Sequence, residues 1–307
     1  MPQAPLNVVT GAFGYSGKYI AARLLDGGER VKTLTNRPGS DGGRHIESAP
    51  LDFANPRQLT QSLEGATTLY NTYWVRFPLG GATHQQAVAN TKTLIRAAEQ
   101  AGVRRIVHIS VTKPSLDSPL SYFRGKAELE EAVRQSKLSY AILRPAVIFG
   151  DEDILINNIA WLLRKFPLFA IPGRGDYRLQ PIFVEDLAAL AVDSGHRSEN
   201  LVLDAVGPET FAYDDLVRLI ARTIGSQARI VHLSPALVVG LSRLLGYIVN
   251  DVLLTREEIE GLMADLLISS QPPNASTRCS AWLGDHAGTI GIRYASELKR
   301  HYRGKAG

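Results

Sequence analysis

Sulfur is scarce in this chain of 307 residues, which has one cysteine, Cys279, and two methionines. A single thiol excludes an intramolecular disulfide, and no Cys/His spacing resembles a zinc site. Neither a disulfide-stapled scaffold nor metal chemistry is expected, and the reading is a reducing, cytoplasmic compartment. A Lys/Arg block is also missing. The 34 basic and 30 acidic residues are spread along the chain, giving a formal charge of +4 and a pI near 9.1, so no nucleic-acid partner is expected. Long apolar runs are missing as well. The most lipid-like stretch, Pro235 to Leu254, is interrupted by Arg243, Asn250 and Asp251, which leaves it too short and too polar to span a bilayer. A buried helix is the leading reading there, and a peripheral membrane contact through it and the amphipathic helix that follows stays open. The N-terminus shows no basic region, signal-type apolar run or small-residue cleavage site, so no export signal is read. Internal repeats and low-complexity tracts are absent.

What is present is alternation. Over the first half, short apolar runs alternate with helical patterns, the mark of βαβ units stacked into a parallel sheet covered on both faces. Strands are expected at Leu6 to Thr10, Arg30 to Thr35, Ile46 to Leu51, Thr67 to Asn71, Arg105 to Ser110 and Tyr140 to Leu143. Helices are expected at Tyr15 to Asp26, Thr83 to Gly102 and Leu120 to Ser136, the first stopped by Gly27-Gly28. The fold class is therefore α/β, a doubly wound parallel sheet of the Rossmann type with a smaller, mostly helical C-terminal lobe. The dinucleotide-binding domain is placed at 1–150, with 177–206 returning to it, and the second lobe at 151–176 and 207–307. Within the latter regions a helix is read at Ile154 to Lys165, strands at Arg178 to Phe183 and Arg229 to Leu233, and a capping box at Thr255 and Glu258.

The first strand runs into Gly11-Ala12-Phe13-Gly14-Tyr15-Ser16-Gly17, a G-x-x-G-x-x-G turn that opens a helix. Gly11 permits the tight turn, Gly14 lets backbone approach a pyrophosphate, and Gly17 lets helix pack closely on strand, while helix N–H groups face the phosphates. Phe13, Tyr15 and Ser16 lie within the same cradle. At the end of the second strand, where a carboxylate would hold a ribose 2′-hydroxyl, the chain has Thr35-Asn36-Arg37. A guanidinium there pairs with a 2′-phosphate, so Arg37, with Arg44 as a second contact, favours NADP(H) over NAD(H). Asp52 and Phe53 close the third strand where an adenine amino group would be met, although Asp52 is equally placed to cap a following helix. Asn71 ends the fourth strand at the ligand-binding edge and joins the cofactor set.

Tyr122-Phe123-Arg124-Gly125-Lys126 places a tyrosine and a lysine on one helix face at i,i+4 spacing. A neighbouring ammonium favours phenolate and brings the phenol toward the range useful for general acid–base work. Ser110 ends the preceding strand, where its hydroxyl can orient a substrate carbonyl.

In this order the glycine turn, Asp52, Asn90, Ser110, Tyr122, Lys126 and Arg144-Pro145 resemble the short-chain dehydrogenase/reductase superfamily. The resemblance covers most of the chain. Val107 to Thr112, Arg144 to Gly150, Asp153 to Asn158 and Gln180 to Ala188 are most similar to its atypical and extended branches, which include NmrA-like proteins, relatives of the NADPH-binding accessory subunit of complex I, and NAD-dependent epimerases and dehydratases. The resemblance implies that the segment from Pro145 through Val147 lies along the nicotinamide, that Lys126 bonds its ribose, and that Tyr122 is the proton donor. The link from Ser110 to Tyr122 is shorter than the one usual in sugar epimerases, which makes Thr112 the alternative to Ser110.

After the fourth strand, Trp74 and Arg76 belong to an aromatic cluster carrying one cation. With Asn157, Asn158, Tyr177 and Gln180 they form a candidate substrate-binding set for a polar or anionic molecule. The leading expectation is an NADP(H)-dependent oxidoreductase that moves hydride between the nicotinamide and a carbonyl or alcohol substrate. A nucleotide-sugar epimerase or dehydratase holding NAD, and a non-catalytic NADP(H)-sensing or assembly factor, are the alternatives. The substrate and the oligomeric state are not legible in the sequence.

Overall fold

Leu6–Thr10 is buried at every position, as an apolar strand must be when both faces of its sheet are covered. The computed structural model describes residues 4–36 and 46–301. In chain order its elements are β1 (Leu6–Thr10), α1 (Tyr15–Asp26), β2 (Arg30–Leu34), β3 (Glu47–Ala49), α2 (Pro56–Leu63), β4 (Ala66–Asn71), α3 (His84–Gln100), β5 (Arg105–Ile109), α4 (Ser121–Arg134) and β6 (Ser139–Pro145). There follow β7 (Ile148–Phe149), α5 (Leu155–Lys165), β8 (Leu168–Pro172), β9 (Arg178–Leu179), β10 (Ile182–Phe183), α6 (Val184–His196) and β11 (Leu201–Ala205). The chain continues with β12 (Phe211–Ala212), α7 (Tyr213–Thr223), β13 (Arg229–Leu233), α8 (Pro235–Val249), α9 (Arg256–Met263), α10 (Cys279–Asp285) and α11 (Glu297–His301).

The chain divides into two units, Met1–Pro145 with Val184–Ala205, and Ala146–Phe183 with Val206–Gly307. The first unit is a seven-stranded parallel sheet in the order β11-β6-β5-β4-β1-β2-β3, flanked by helices, and so a Rossmann-type doubly wound fold. β1 pairs with β2 on one side and β4 on the other, so the order reverses there and a ligand crevice opens beyond its carboxyl end. Leu59, Leu63, Leu69, Leu94, Ile106 and Ile142 form the core on the face carrying α2, α3 and α4. On the opposite face, Gly195 of α6 admits the Tyr70 hydroxyl so closely that any Cβ there would collide with it.

Helix α2 follows Asp52, where a helix is expected without bounds. Its sequence is largely polar, but Asn55 accepts from the Gln58 amide at 3.2 Å and Pro56 follows, which together start a helix well. Asn55 therefore fills the capping role for which Asp52 was a candidate. Asp52 instead accepts from the Ala54 amide at 2.9 Å.

In the second unit the single strand expected at Arg178 to Phe183 is two short ones, interrupted at Gln180-Pro181. Proline offers no N–H to continue a ladder. β9 pairs antiparallel with β12 and β10 pairs parallel with β7. The expected strand β13 is present and runs parallel to β8, a partner not foreseen. The core gathers Phe149, Ile156, Ile171, Leu216, Ile220 and Trp282. At α9 the capping box forms as read: Thr255 accepts from the Glu258 amide at 3.2 Å, and Glu258 accepts from the Thr255 amide at 2.8 Å.

Candidate active site

The glycine turn is held by three threonines that the motif does not mention. Thr10 accepts from the amides of Thr72 and Tyr73 at 2.8 and 3.1 Å, and Thr72 donates to the Thr10 carbonyl at 2.5 Å. Thr33 accepts from the Ala12 amide at 3.1 Å and donates to the Val9 carbonyl at 3.0 Å. Within this frame Gly11 takes φ +69°, a left-handed value that suits glycine, and the Gly14 amide donates to the Gly11 carbonyl at 2.7 Å. A Cβ on Gly17 would collide with that same carbonyl.

Helix α1 begins at Gly14 with no side-chain cap and no acidic residue in its first turn. Its N-terminal dipole is thus directed at the crevice without a carboxylate to oppose an incoming phosphate. Phe13, Tyr15 and Ser16 are half-buried beside it. These residues fit a dinucleotide. Phe53 packs against Tyr73 at 4.9 Å between ring centroids, and Asn90 donates to the Tyr73 hydroxyl at 2.8 Å. Burial raises the pKa of Tyr73 despite that bond. Asn71 is fully buried, accepting from the Thr10 hydroxyl and the Tyr73 amide and meeting His108 Nδ1 at 3.0 Å. Its side chain ties three strands together. Arg37 and Arg44 lie outside the described residues.

Along one face of α4 the structure brings together more than the expected pair. Lys126 is buried, with its ammonium donating to the Ile109 carbonyl at 2.8 Å and lying 4.5 Å from the Trp74 ring centroid. Burial lowers its pKa to about 7, partly opposed by the negative charge of Glu130. Tyr122, half-buried, meets Trp74 edge-on at 5.6 Å and His84 edge-on at the same distance. Trp74 and His84 are themselves stacked with ring planes 4° apart. His84 Nε2 faces the Arg76 carbonyl at 3.3 Å, which assigns that nitrogen the proton, and its Nδ1 then accepts from Ser121 at 2.7 Å. Gly125 makes room for the indole, since a Cβ there would lie 2.9 Å from Trp74 Cη2 and 3.2 Å from Val88 Cγ2. The Trp74 Nε1–H is buried without an acceptor among the described residues.

Ser110 donates to Glu130 at 2.7 Å. Glu130, 1% exposed, also accepts two bonds from Arg144 at 2.8 and 2.6 Å and one from Arg134 at 2.9 Å. Those bonds raise the Arg144 pKa, chiefly through the direct hydrogen bonding. Sequence reasoning missed Glu130, although it continues the Tyr122/Lys126 face at the next i,i+4 step. Thr112 is buried, and its amide donates to the Pro145 carbonyl at 3.1 Å.

In the second unit, Val147 is buried and its carbonyl accepts from the Ile182 amide at 2.8 Å. The four residues of the candidate substrate set that lie in this unit bond to groups of the same unit. Asn157 donates to Asp153 at 3.0 Å and accepts from the Gly291 amide at 3.2 Å, and Asn158 pairs with both backbone groups of Ala295. Tyr177 donates to the Pro172 carbonyl at 3.1 Å. Gln180 donates to the Gly207 carbonyl at 2.9 Å and accepts from the Ser269 amide at 3.2 Å. Their polar atoms secure loops of their own unit. In the first unit, Trp74 of the same set lies beside the α4 face, and half-buried Arg76 accepts through its carbonyl from His84. Among the described residues no cluster of His, Cys, Asp and Glu could hold a metal ion.

A family model described as NAD(P)H-binding matches residues 11–158. The chain is 27% identical over 288 residues to the NADH dehydrogenase [ubiquinone] 1 alpha subcomplex subunit 9 of Arabidopsis thaliana mitochondria, covering 85% of this chain and 70% of that protein. These likenesses support an extended, NmrA-like short-chain dehydrogenase/reductase family. Another relative, the ceramide reductase of Caulobacter vibrioides, is 26% identical, with 73% of this chain and 72% of that protein covered. In fold the chain is similar to the NADPH-dependent quinone oxidoreductase of Escherichia coli in complex with NADPH. That structure has a TM-score of 0.72 and 21% identity, covering 92% of this chain and 98% of that one.

Proposed function

We propose that the chain is an NADPH-dependent oxidoreductase that reduces a carbonyl substrate, or oxidises the corresponding alcohol, with Tyr122 as its proton-transfer group. The observation that carries this reading is the α4 face, where Lys126, titrating near neutrality, shares Trp74 as a neighbour with Tyr122. The cradle from Gly11 to Gly17 and the uncapped start of α1 would hold the pyrophosphate, and Arg37 supports a 2′-phosphate on the adenosine side. When bound, the nicotinamide supplies or accepts the hydride. Tyr122 would give its phenolic proton to the carbonyl oxygen as that hydride reaches the carbon, so that C=O becomes CH–OH, and the Lys126 ammonium would steady the phenolate that remains. Alcohol oxidation returns the proton to Tyr122. In a screen of carbonyl compounds with purified protein, NADPH consumption is expected, and Tyr122→Phe should lower turnover by about 100-fold or more while leaving NADPH affinity within about twofold. An unchanged rate in Tyr122→Phe would remove the tyrosine from the chemistry.

One observation favours a second reading, in which the chain is a nucleotide-sensing or assembly subunit. The Lys126 ammonium already donates to Ile109 and lies against the Trp74 ring, and a relative of this chain is named as an NADH dehydrogenase subunit. That reading predicts partner binding that depends on NADP(H) and survives Tyr122→Phe.

A further inference from the structure

Helix α8 turns a ridge of large apolar side chains toward solvent. Leu237, Leu241, Leu244 and Ile248 are 58, 44, 62 and 70% exposed, and Tyr247 is 90% exposed. At 3.6 residues per turn the four aliphatic side chains fall within an arc of about 60°. Val238, Ser242 and Gly246, on the other side, are buried against the protein. The helix thus has two apolar faces, of which the fold covers one. Contiguous exposed apolar surface of this kind marks a contact with something other than water.

The charge pattern narrows the partner. From Pro235 to Val249 there is no acidic residue, and the one formal charge is the exposed Arg243. Arg243 and Tyr247 project from the same flank of the ridge and border an open groove that Val252, Leu253, Leu254, Leu298 and the buried Asp251 also line, so the exposed charge there is the cation. An aliphatic ridge flanked by a cation and a phenol suits the headgroup boundary of a bilayer. There the ridge meets acyl chains while the guanidinium and the phenolic hydroxyl stay hydrated.

Length decides how the helix would sit. Its 15 residues span about 22 Å, short of the ~30 Å hydrocarbon layer, and no helix among the described residues is long and apolar enough to cross a membrane. It must lie along the surface. A second copy of the chain is a poorer fit, because one helix face about 22 Å by 10 Å falls well below the ~800 Å² per partner that a stable dimer buries.

We propose that α8 docks the protein on a bilayer bearing anionic lipids, with the ridge from Leu237 to Ile248 in the acyl–headgroup boundary and Arg243 and Tyr247 at the headgroups. The test is cosedimentation of the full chain with vesicles of phosphatidylcholine, alone or with about one third phosphatidylglycerol. The wild type is expected to pellet with the mixed vesicles and less with the neutral ones. The Leu244→Glu, Ile248→Glu double variant should bind at least about tenfold more weakly, with an unchanged melting temperature showing that the fold is intact. Arg243→Gln should lose about fivefold on mixed vesicles alone. A wild type that stays in the supernatant with both vesicle types would overturn the proposal, as would undiminished binding by the folded double variant. So would light scattering that shows a dimer dissolved by the double substitution in a protein without vesicle affinity.

Discussion

Trp74 lies against Lys126, with the ammonium 4.5 Å from the indole ring centroid, and the same indole meets Tyr122 edge-on. One aromatic plane therefore contacts both members of the candidate acid–base pair. The ring quadrupole supplies part of the stabilisation that water would otherwise give a buried ammonium. His84, stacked on the indole and bonded to Ser121 and to the Arg76 carbonyl, limits how far the ring can turn.

Gly125→Ala tests this arrangement with one methyl group. The new Cβ would sit 2.9 Å from Trp74 Cη2 and 3.2 Å from Val88 Cγ2, so the indole must shift. Overpacking of this kind costs about 1–3 kcal/mol. The variant is expected to fold with a lowered melting temperature and altered tryptophan fluorescence. An unchanged spectrum and stability would show that Trp74 is not held against α4.

The depressed pKa of Lys126 gives a pH dependence with a definite sign. In the unfolded chain the amine titrates near 10.5, and in the folded chain near 7. Between these values the unfolded state binds more protons, so this residue makes the protein more stable as pH rises from about 7 toward 10.5, and least favours folding below 7. Lys126→Met removes that dependence. In denaturant titrations of nucleotide-free protein, the variant should gain at pH 6 relative to pH 10 by about 2–4 kcal/mol compared with wild type. Parallel curves for the two proteins would contradict a lysine titrating near neutrality.

How much of this was legible beforehand depended on the range of the interactions. The first strand, α1 and the capping box at Thr255 are set by neighbouring residues, and each was placed to the residue. Helix α2 was anticipated after Asp52 but its bounds were not, because its apolar stripe is short, with Leu59 and Leu63 its only buried aliphatics. Strand β8 escaped notice because its pairing partner is β13, some sixty residues later. At the site, i,i+4 spacing identified Tyr122 and Lys126, but the Trp74 contact joins positions 52 residues apart and needs Gly125 for its clearance. The bonds of Asn157, Asn158, Tyr177 and Gln180 were not legible, because a sequence lists hydrogen-bonding groups without saying which partners they serve.

Gly17→Ala should separate nucleotide binding from folding. Its Cβ would press on the Gly11 carbonyl, which also accepts the Gly14 amide bond, so the turn must open. Loss of saturable NADPH binding is expected with a stability cost of about 1–3 kcal/mol, measured by nucleotide titration and thermal melting on the same sample. Retained affinity would mean that the cradle is not the phosphate site.

Glu130 connects the fold to the chemistry. It receives Ser110, Arg134 and Arg144, and its charge holds the Lys126 pKa above the value that burial alone would give. Glu130→Gln keeps the shape and removes the charge, so the Lys126 pKa should fall further below 7. An NMR titration of labelled lysine should show this as a midpoint moved to lower pH, and any activity limb governed by Lys126 should move the same way. Breaking a buried ion pair from one side also costs about 3–5 kcal/mol, so the comparison needs Ser110→Ala as a partner variant. Ser110→Ala removes one bond to Glu130 while leaving its charge in place. The expected pattern is a shifted Lys126 midpoint in Glu130→Gln and a much smaller shift in Ser110→Ala. Equal shifts in the two would mean that the hydrogen-bond network, rather than the carboxylate charge, sets the lysine's acidity.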